Sequence, residues 1–175
     1  MSIGMKKVNE QFFITIKDAK LLPIPFRNFE GRPSKVNPQG GERSFGVVID
    51  DPEIAQQLAA DGWNIKTRTV RDGSDGDDEH WLPVKVKYRR RDGSPTIPPK
   101  ITIKTASNEI YYDEDNVKLL DGSELADVKL VINPSYWETS DKRGITAYLK
   151  SMTATLVDDS FFFDEDGSDL PFDVD

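Results

Sequence analysis

The sequence predicts a mainly β protein, folded as a compact barrel or sandwich, with one or two short helices and an unstructured acidic tail. Three observations predict this class. Short segments rich in β-branched and aromatic residues alternate with Gly, Pro and Asp turns, one strong helix signal interrupts them, and residues 158–175 carry acids but no bases. We expect residues 1–157 to form one domain and residues 158–175 to form the tail.

The strand segments are separated by connections of very different length. Residues 23–43 are rich in Pro and Gly and are too long for an ordinary turn. The polar segment "RDGSDGDDEH" could join the strands on either side of it into a hairpin, and "PSYWETSDKRG" is expected to be another loop. In chain order the predicted strands are residues 11–22, 44–49, 63–70, 81–91, 100–105, 124–133 and 145–157.

The helix signal lies in "DDPEIAQQLAADG". Asp50 or Asp51 can cap its start, Pro52 suits the first turn, and Gly62 ends it. A second, shorter helical turn is expected around "DEDNVKLLDG". A duplex reader would need a recognition helix or arm of high positive charge, and the one convincing helix is acidic and rich in Ala.

The net charge of −8 lies entirely in the tail. Residues 1–157 are formally neutral, because their Lys and Arg residues balance their Asp and Glu residues. An asymmetry of this kind predicts an interaction tail and a complementary basic surface elsewhere. The eight tail acids are Asp158, Asp159, Asp164, Glu165, Asp166, Asp169, Asp173 and Asp175.

Cysteine and histidine usage restricts the chemistry. The chain has no cysteine, which excludes disulfides, thiolate metal sites and a cysteine nucleophile. His80 is the single histidine, which removes most metalloenzyme and Ser-His-Asp designs, so we expect no cofactor and no metal. Neither an apolar signal core nor a membrane-spanning stretch is present, and a cytoplasmic location is expected.

Alternation along residues 81–91 predicts a cationic face. Leu82, Val84, Val86 and Tyr88 fall on one side, which we assign to the core. The opposite side carries a ring and several cations. In the preceding strand Lys66 and Arg68 fall opposite the apolar positions, and a later strand could extend the face. The predicted face comprises Lys66, Arg68, Trp81, Lys85, Lys87, Arg89, Arg91, Lys100 and Lys104.

Two connections add further rings and cations. The long connection supplies Phe26, Arg27, Phe29 and Arg43, and the late loop supplies Tyr136, Trp137, Lys142 and Arg143. Cations that track phosphates, combined with exposed rings on which bases stack, are typical of surfaces that bind single-stranded nucleic acid. Exposed Lys and Arg are also ordinary surface chemistry, and loop rings also plug the ends of barrels.

The tail combines acids with a small apolar hook. It could lie over the cationic groove until a polyanion displaces it, or dock its hook on another protein. Leu170, Pro171 and Phe172 form the hook. The residues expected to bind a partner are Asp164, Glu165, Asp166, Asp169, Leu170, Pro171 and Phe172.

Several segments carry a resemblance to a known family. The tail "DEDGSDLPF" resembles the acidic end of bacterial single-stranded DNA-binding proteins. The segments "FRNFEGRPSKVNPQGGERSFGVVID", "LAADGWNIKTR", "PPKI" and "VINPSYWETSDKRGITAYLKSM" resemble one group of bacteriophage single-stranded DNA-binding proteins. The likeness covers most of residues 20–157 and the tail. One departure is that Asp173, Val174 and Asp175 follow Phe172, whereas the bacterial tails finish with the phenylalanine.

The resemblance implies a fold, a function and partners. It implies an OB-fold-like five-stranded barrel with extra strands, which coats single-stranded DNA with little sequence specificity during phage replication or recombination. The tail would then regulate binding or recruit replication or recombination proteins, with no membrane involved. Because of the departure at the end of the tail, the identity of a tail partner does not carry over.

Two alternatives come from the acidic residues. A carboxylate-dependent metal nuclease is one, because acids are abundant at residues 50–53 and 72–79. The first group reads as a helix cap and the second lies in a Gly-rich loop without rigid support, so we expect no enzyme. The other alternative is an acidic protein that mimics DNA, which would need an excess of acids on the body, whereas the body is balanced.

Overall fold

A computed structural model describes most of the chain, with side chains from residue 14 onward; its ranges are residues 2–8, 11–35, 37–69, 78–90 and 92–157. Within these residues all strands belong to one sheet. The mainly β class is confirmed. The strands are β1 (Ser2–Val8), β2 (Gln11–Ala19), β3 (Arg27–Asn28), β4 (Arg43–Ile49), β5 (Lys66–Thr69), β6 (Asp78–Val86), β7 (Lys100–Lys104), β8 (Glu109–Tyr112), β9 (Leu125–Glu138) and β10 (Arg143–Leu156).

The sheet is open and branched, and β10 lies at its centre. The main path runs β1-β2-β9-β10-β6-β4-β3, while β5 pairs with β6, and β7 pairs with β10 and β8. Strand β9 pairs antiparallel with β10 along one edge. Strands β6 and β7 pair parallel with successive parts of the other edge, with Val84 opposite Ala147 and Lys100 opposite Ser151.

The single described α-helix, α1 (Pro52–Asp61), has the predicted start and end. The Asp51 carboxylate accepts a hydrogen bond from the Glu53 amide at 2.9 Å. Gly62 takes a left-handed conformation with φ of 108° and closes the helix. The amide of Ile145 donates to the Gly62 carbonyl at 2.8 Å, which ties the end of α1 to β10. The second helical turn is a 3₁₀ helix, Val117–Gly122.

The core is one cluster of aliphatic and aromatic side chains from the inner face of the sheet, from α1 and from the 3₁₀ helix. The predicted alternation in β6 is confirmed, because every second residue is buried through Tyr88. Strands β9 and β10 contribute in the same register, with Ile132 opposite Leu149. The inner side chains of the three central strands include Leu82, Val84, Leu130, Ile132, Ala147, Leu149 and Met152.

Three predictions about connections were wrong. Strands β9 and β10 extend into residues 134–144, which were expected to be a loop, and leave a tight turn in which the Thr139 amide donates to the Lys142 carbonyl at 2.7 Å. Strand β6 begins at Asp78, inside the predicted polar loop. Strands β1, β3 and β8 were not expected. In each case pairing with a neighbouring strand overrides the local turn or polar composition.

The described residues include no helix long and apolar enough to cross a membrane. Arg91 and the predicted tail, residues 158–175, lie outside the described residues.

Candidate nucleic-acid interface

Strands β5 and β6 form the antiparallel hairpin that the sequence predicted. Lys66 lies opposite Trp81, and Arg68 lies opposite Glu79. Residues directly opposite in antiparallel strands project from the same face of the sheet. The two cationic rows therefore meet on the outer face, away from Leu82 and the core.

A ring and cation cluster forms at this hairpin. The Phe26 and Trp81 rings meet edge to face with centroids 5.2 Å apart. The Lys66 ammonium lies 5.9 Å from the Trp81 ring centroid, and the Arg68 guanidinium lies 5.0 Å from the Phe26 centroid. Four residues that the sequence predicted separately are thus brought together; we call Phe26, Lys66, Arg68 and Trp81 the Trp81 cluster.

A glycine in β4 determines where the Trp81 ring lies. Gly46 is buried beneath the indole, and a Cβ at this position would lie 2.8 Å from Cε3 of Trp81 and 3.0 Å from Cδ1 of Leu22. Atoms at that separation repel strongly. The absence of a side chain at Gly46 therefore lets the indole lie close against the outer face of the sheet.

Lys85, Lys87 and Tyr148 form the middle of the outer face. Tyr148 of β10 lies opposite Lys85 of β6. The Lys87 ammonium lies 5.6 Å from the Tyr148 ring centroid, close enough for a cation–π contact. Both lysines are exposed, and neither forms an ion pair with any other residue that the structure describes.

Two arginines of the predicted face are partly neutralised. The Arg68 Nε donates to Glu79 Oε1 at 2.7 Å, and the Arg89 Nε donates to Glu114 Oε2 at 3.0 Å. Both pairs are accessible to water, so each contributes little to stability, but each reduces the positive potential available to a phosphate. Arg89 therefore contributes less to the face than Lys85 or Lys87.

Trp137 lies on the same outer face, two strands away from Trp81. It lies opposite Gly144, where a Cβ would come within 2.6 Å of Trp137 Cζ2. The bare backbone of Gly144 thus supports the indole. Beside it, a cavity of about 520 Å³ opens between the end of α1 and β10, and Lys85, Trp137 and Arg143 all line it.

The other members of the late segment point elsewhere. Tyr136 lies opposite Ile145 and is 69% exposed, so its ring stands on the inner side of the β9–β10 hairpin beyond the core. Lys142 is exposed in the tight turn, with its amide donating to Thr139 Oγ1 at 3.1 Å. These two residues do not lie on the outer face itself, although Tyr136 lines a second cavity, next to Trp137.

Lys100 and Lys104 extend the outer face along β10. They lie opposite Ser151 and Thr155, on the side of β7 that faces away from the core residues Ile101 and Ile103. Both lysines are exposed. Because β6 and β7 follow each other on one edge of β10, these cations continue the row that begins with Lys85.

Arg27 does not point outward as the sequence predicted. It is only 9% exposed, and its guanidinium donates to the carbonyls of Leu22, Leu120 and Ser123 at 3.1, 3.0 and 2.7 Å. Burial lowers the pKa of the Arg27 guanidinium, and the nearby Asp121 carboxylate raises it. The side chain joins the long connection to the 3₁₀ helix, so it is unavailable to DNA.

Phe29 and Arg43 also have structural roles. The Phe29 ring is fully buried and stacks on Phe45 with centroids 4.9 Å apart. Arg43 lies opposite Val86, donates to the Phe29 carbonyl at 2.9 Å and has its guanidinium 5.2 Å from the Tyr88 centroid. Neither residue lies on the outer face, which corrects the expectation for both.

Two rings on the outer face were missed from the sequence. Tyr148 alternates with the buried Ala147 and Leu149, and that alternation could have found it. Tyr111 lies opposite Thr102 between the positions of Lys100 and Lys104 and is 62% exposed. Strand β8 was not predicted, so Tyr111 could not be assigned to a face of the sheet from the sequence.

No group of three or more His, Asp or Glu side chains within the described ranges could hold a metal ion. What the outer face offers is positive charge and flat apolar surface, which together can bind phosphates and bases.

Comparisons with solved structures show a related fold. The single-stranded DNA-binding protein from bacteriophage Enc34, in a C-terminal truncation, is 13% identical with a TM-score of 0.51, covering 89% of this chain and 95% of that chain. The similarity in fold between this chain and phage single-stranded DNA-binding proteins is inferred from this structure. The same Enc34 protein in complex with ssDNA gives 14% identity, a TM-score of 0.48 and coverage of 89% and 96%.

A third solved structure is gp2.5, a single-stranded DNA-binding protein encoded by bacteriophage T7. It is 10% identical with a TM-score of 0.40, covering 85% of this chain and 93% of that chain. Comparison with curated protein sequences yields no match.

The sequence family described as phage ssDNA-binding domain matches residues 5–174. This match spans nearly the whole chain and includes every strand that forms the outer face. The chain therefore belongs to the phage ssDNA-binding domain family, and it is a phage protein that binds single-stranded DNA.

Proposed function

We propose that the outer face of β5, β6, β7 and β10 is the surface that binds single-stranded DNA. The observation that carries this proposal is the exposure of Lys85 and Lys87 beside Tyr148, without an ion-pair partner among the described residues. Lysines in that state release counterions when they contact phosphates, which favours binding. The neighbouring rings offer flat surfaces on which unpaired bases can stack.

We propose that this surface binds with little sequence preference. Lysine ammonium groups recognise phosphate as a point charge, and stacking accepts every base because every base has a π face. The α-helix within the described residues carries the acidic Glu53 in its first turn and no basic residue in its last turn. It therefore does not suit a duplex groove.

Charge reversal at the centre of the face tests the proposal. We expect Lys85→Glu with Lys87→Glu to weaken binding to every single-stranded sequence by about tenfold or more, and to reduce the slope of log K against log salt by roughly 1.4. Fluorescence anisotropy with labelled oligonucleotides at several salt concentrations measures both quantities.

The matched control changes the same net charge at exposed positions outside the face. Lys35→Glu with Lys118→Glu serves this purpose, because both side chains are exposed and neither lies in a strand of the face. We expect this pair to change affinity by less than about threefold, through the distant field alone. An equal loss in both pairs would mean that total charge, not this surface, governs binding.

We propose that residues 158–175 form a separate acidic tail that regulates binding or recruits replication or recombination proteins. The support is its charge, since the tail carries acids and no base while residues 1–157 are balanced. An acidic segment competes with DNA for the same cations. Deleting residues 158–175 should tighten binding at low salt and have little effect at high salt; weaker binding after deletion would contradict the competition.

We propose that the protein coats single strands during phage replication or recombination in the host cytoplasm, without catalysing a reaction. Membership of the phage ssDNA-binding domain family supports this role. Incubating the protein with single-stranded and duplex DNA and Mg²⁺ should leave both intact. Cleavage that is lost on chelation would instead favour a metal nuclease.

A further inference from the structure

We propose that the groove beside Trp137 holds one unstacked nucleobase of the bound strand, with its phosphates toward Lys85. This inference rests on the proposed function, since it assigns one position on the same face a defined occupant. It adds an orientation for the nucleotide that cations and rings alone do not give.

The groove consists of two adjoining cavities between the end of α1 and the β9–β10 hairpin. Their volumes are about 520 and 570 Å³. They share both of the side chains with which a nucleotide would interact, Trp137 and Arg143. The lining residues common to both are Ala59, Gly62, Trp137, Arg143, Gly144 and Ile145.

The Trp137 indole is suited to be the platform for a base. It is 44% exposed, near the end of β9, where its backbone is paired with Gly144 of β10. The ring atoms Cζ2, Cε2 and Nε1 lie close to Gly144, so the indole is held in place on that side. A ring supported in this way loses little freedom when a base stacks on it.

Lys85 and the carboxylates line different cavities of the groove, while Arg143 lines both. Lys85 lines the cavity that faces the middle of the sheet, together with Asn64. Asp61 and Glu138 line the other cavity, next to the carboxyl end of α1. A helix carboxyl end carries partial negative charge, which adds to these carboxylates.

This segregation sets the direction of a bound nucleotide. Phosphates are attracted to Lys85 and repelled by Asp61, Glu138 and the helix end. A base is neutral, and its N–H groups can donate to carboxylates. The base therefore enters between Trp137 and the end of α1, while the backbone passes over the lysine.

Oligonucleotides with and without bases test this assignment. Oligothymidylate and an abasic oligomer of equal length carry the same phosphates, but only the first can stack. We expect Trp137→Ala to weaken oligothymidylate binding by about tenfold and abasic binding by less than about twofold. Trp137→Phe should restore most of the loss, because it retains a ring.

Gly144→Ala provides an independent variant in which the tryptophan remains. The added Cβ would displace the indole from its seat. We expect this variant also to lose affinity for oligothymidylate with little change for the abasic oligomer. Circular dichroism and urea unfolding of each variant check that the fold is retained.

The outcomes separate this inference from the proposed function. If Lys85→Glu with Lys87→Glu weakens both oligomers while Trp137→Ala weakens neither, the base site is overturned and the binding surface stands. An equal loss for both oligomers in Trp137→Ala also overturns the base site. If the lysine pair leaves both oligomers unaffected, the proposed surface itself is wrong.

Discussion

The outer face and the long connection are both rich in rings and cations, but they use them differently. On the outer face Lys85 and Lys87 remain exposed beside Tyr148. In the long connection Arg27 is buried against backbone carbonyls. We call Arg27, Phe29, Arg43 and Asp121 the Arg27 network, because hydrogen bonds link them directly or through the 3₁₀ helix that contains Asp121.

Asp121 shows how polar groups of the network are satisfied by one another. One of its carboxylate oxygens accepts from the Phe29 amide at 2.6 Å and the other from the Glu30 amide at 3.1 Å. It also lies 3.9 Å from the Arg32 guanidinium. Composition alone therefore does not distinguish a binding cation from a structural one. What distinguishes them is whether the backbone offers acceptors nearby.

The largest effect on stability should come from truncating Arg27, and it should contrast with the small effect of truncating Lys85. Arg27→Ala leaves the buried carbonyls of Leu22 and Ser123 without this donor and removes a charge near Asp121, so we expect the free energy of unfolding to fall by about 3 kcal/mol. Lys85→Ala should change it by less than about 0.5 kcal/mol, because the side chain is exposed. Urea unfolding measures both.

The same two variants should differ in the opposite way in DNA binding. At temperatures where both are folded, Lys85→Ala should weaken single-stranded DNA binding and Arg27→Ala should leave it nearly unchanged. A binding defect in folded Arg27→Ala as large as that of Lys85→Ala would contradict the distinction between the two regions.

An intermediate effect should come from removing the Tyr148 ring from the outer face. Tyr148→Ala removes a stacking surface and the contact with Lys87, so we expect single-stranded DNA affinity to fall by about fivefold, equivalent to ~1 kcal/mol. Tyr148→Phe retains the ring and should bind as the parent does. If both substitutions weaken binding equally, the hydroxyl acts instead of the ring.

The smallest effect at neutral pH should come from Tyr88, which lies beneath Arg43. Its hydroxyl has no hydrogen-bond partner among the described residues, so Tyr88→Phe should change stability by only a few tenths of a kcal/mol at pH 7. Burial raises the pKa of Tyr88 to about 12, from 10.0. The stability that comes from keeping the Tyr88 hydroxyl protonated in the folded protein is complete below pH 10, and it is lost as the pH rises toward 12.

Tyr88→Phe should therefore show a smaller loss of stability between pH 10 and 12 than the parent protein. Urea unfolding of both proteins across that range measures the difference, and other titrating groups cancel in the comparison. Parallel losses would mean that Tyr88 ionises as freely in the folded protein as in the unfolded chain.

The features that depended on neighbouring residues were predictable from the sequence. Asp51, Pro52 and Gly62 lie within one short segment, and they set both ends of α1 as expected. Alternation in β6 assigned Lys85 and Lys87 to one face, because side chains alternate in any extended strand. These signals require no knowledge of the rest of the chain.

The features that depended on distant partners were not predictable. The carbonyls that bind Arg27 belong in part to residues 93 and 96 positions away. Residues 134–144 contain Pro, Ser, Asp and Gly, which are typical of loops, yet long pairing between β9 and β10 holds most of them in strands. Local composition gives no information about such pairings.

Strand β10 is paired along both edges, with β9 on one side and β6 and β7 in succession on the other. The backbone under Lys85, Tyr148 and Lys100 thus has little freedom to rearrange when a ligand arrives. Binding at this face is expected to proceed without coupled folding. Calorimetry should accordingly find only a small change in heat capacity on association, of the size that base stacking on exposed rings produces.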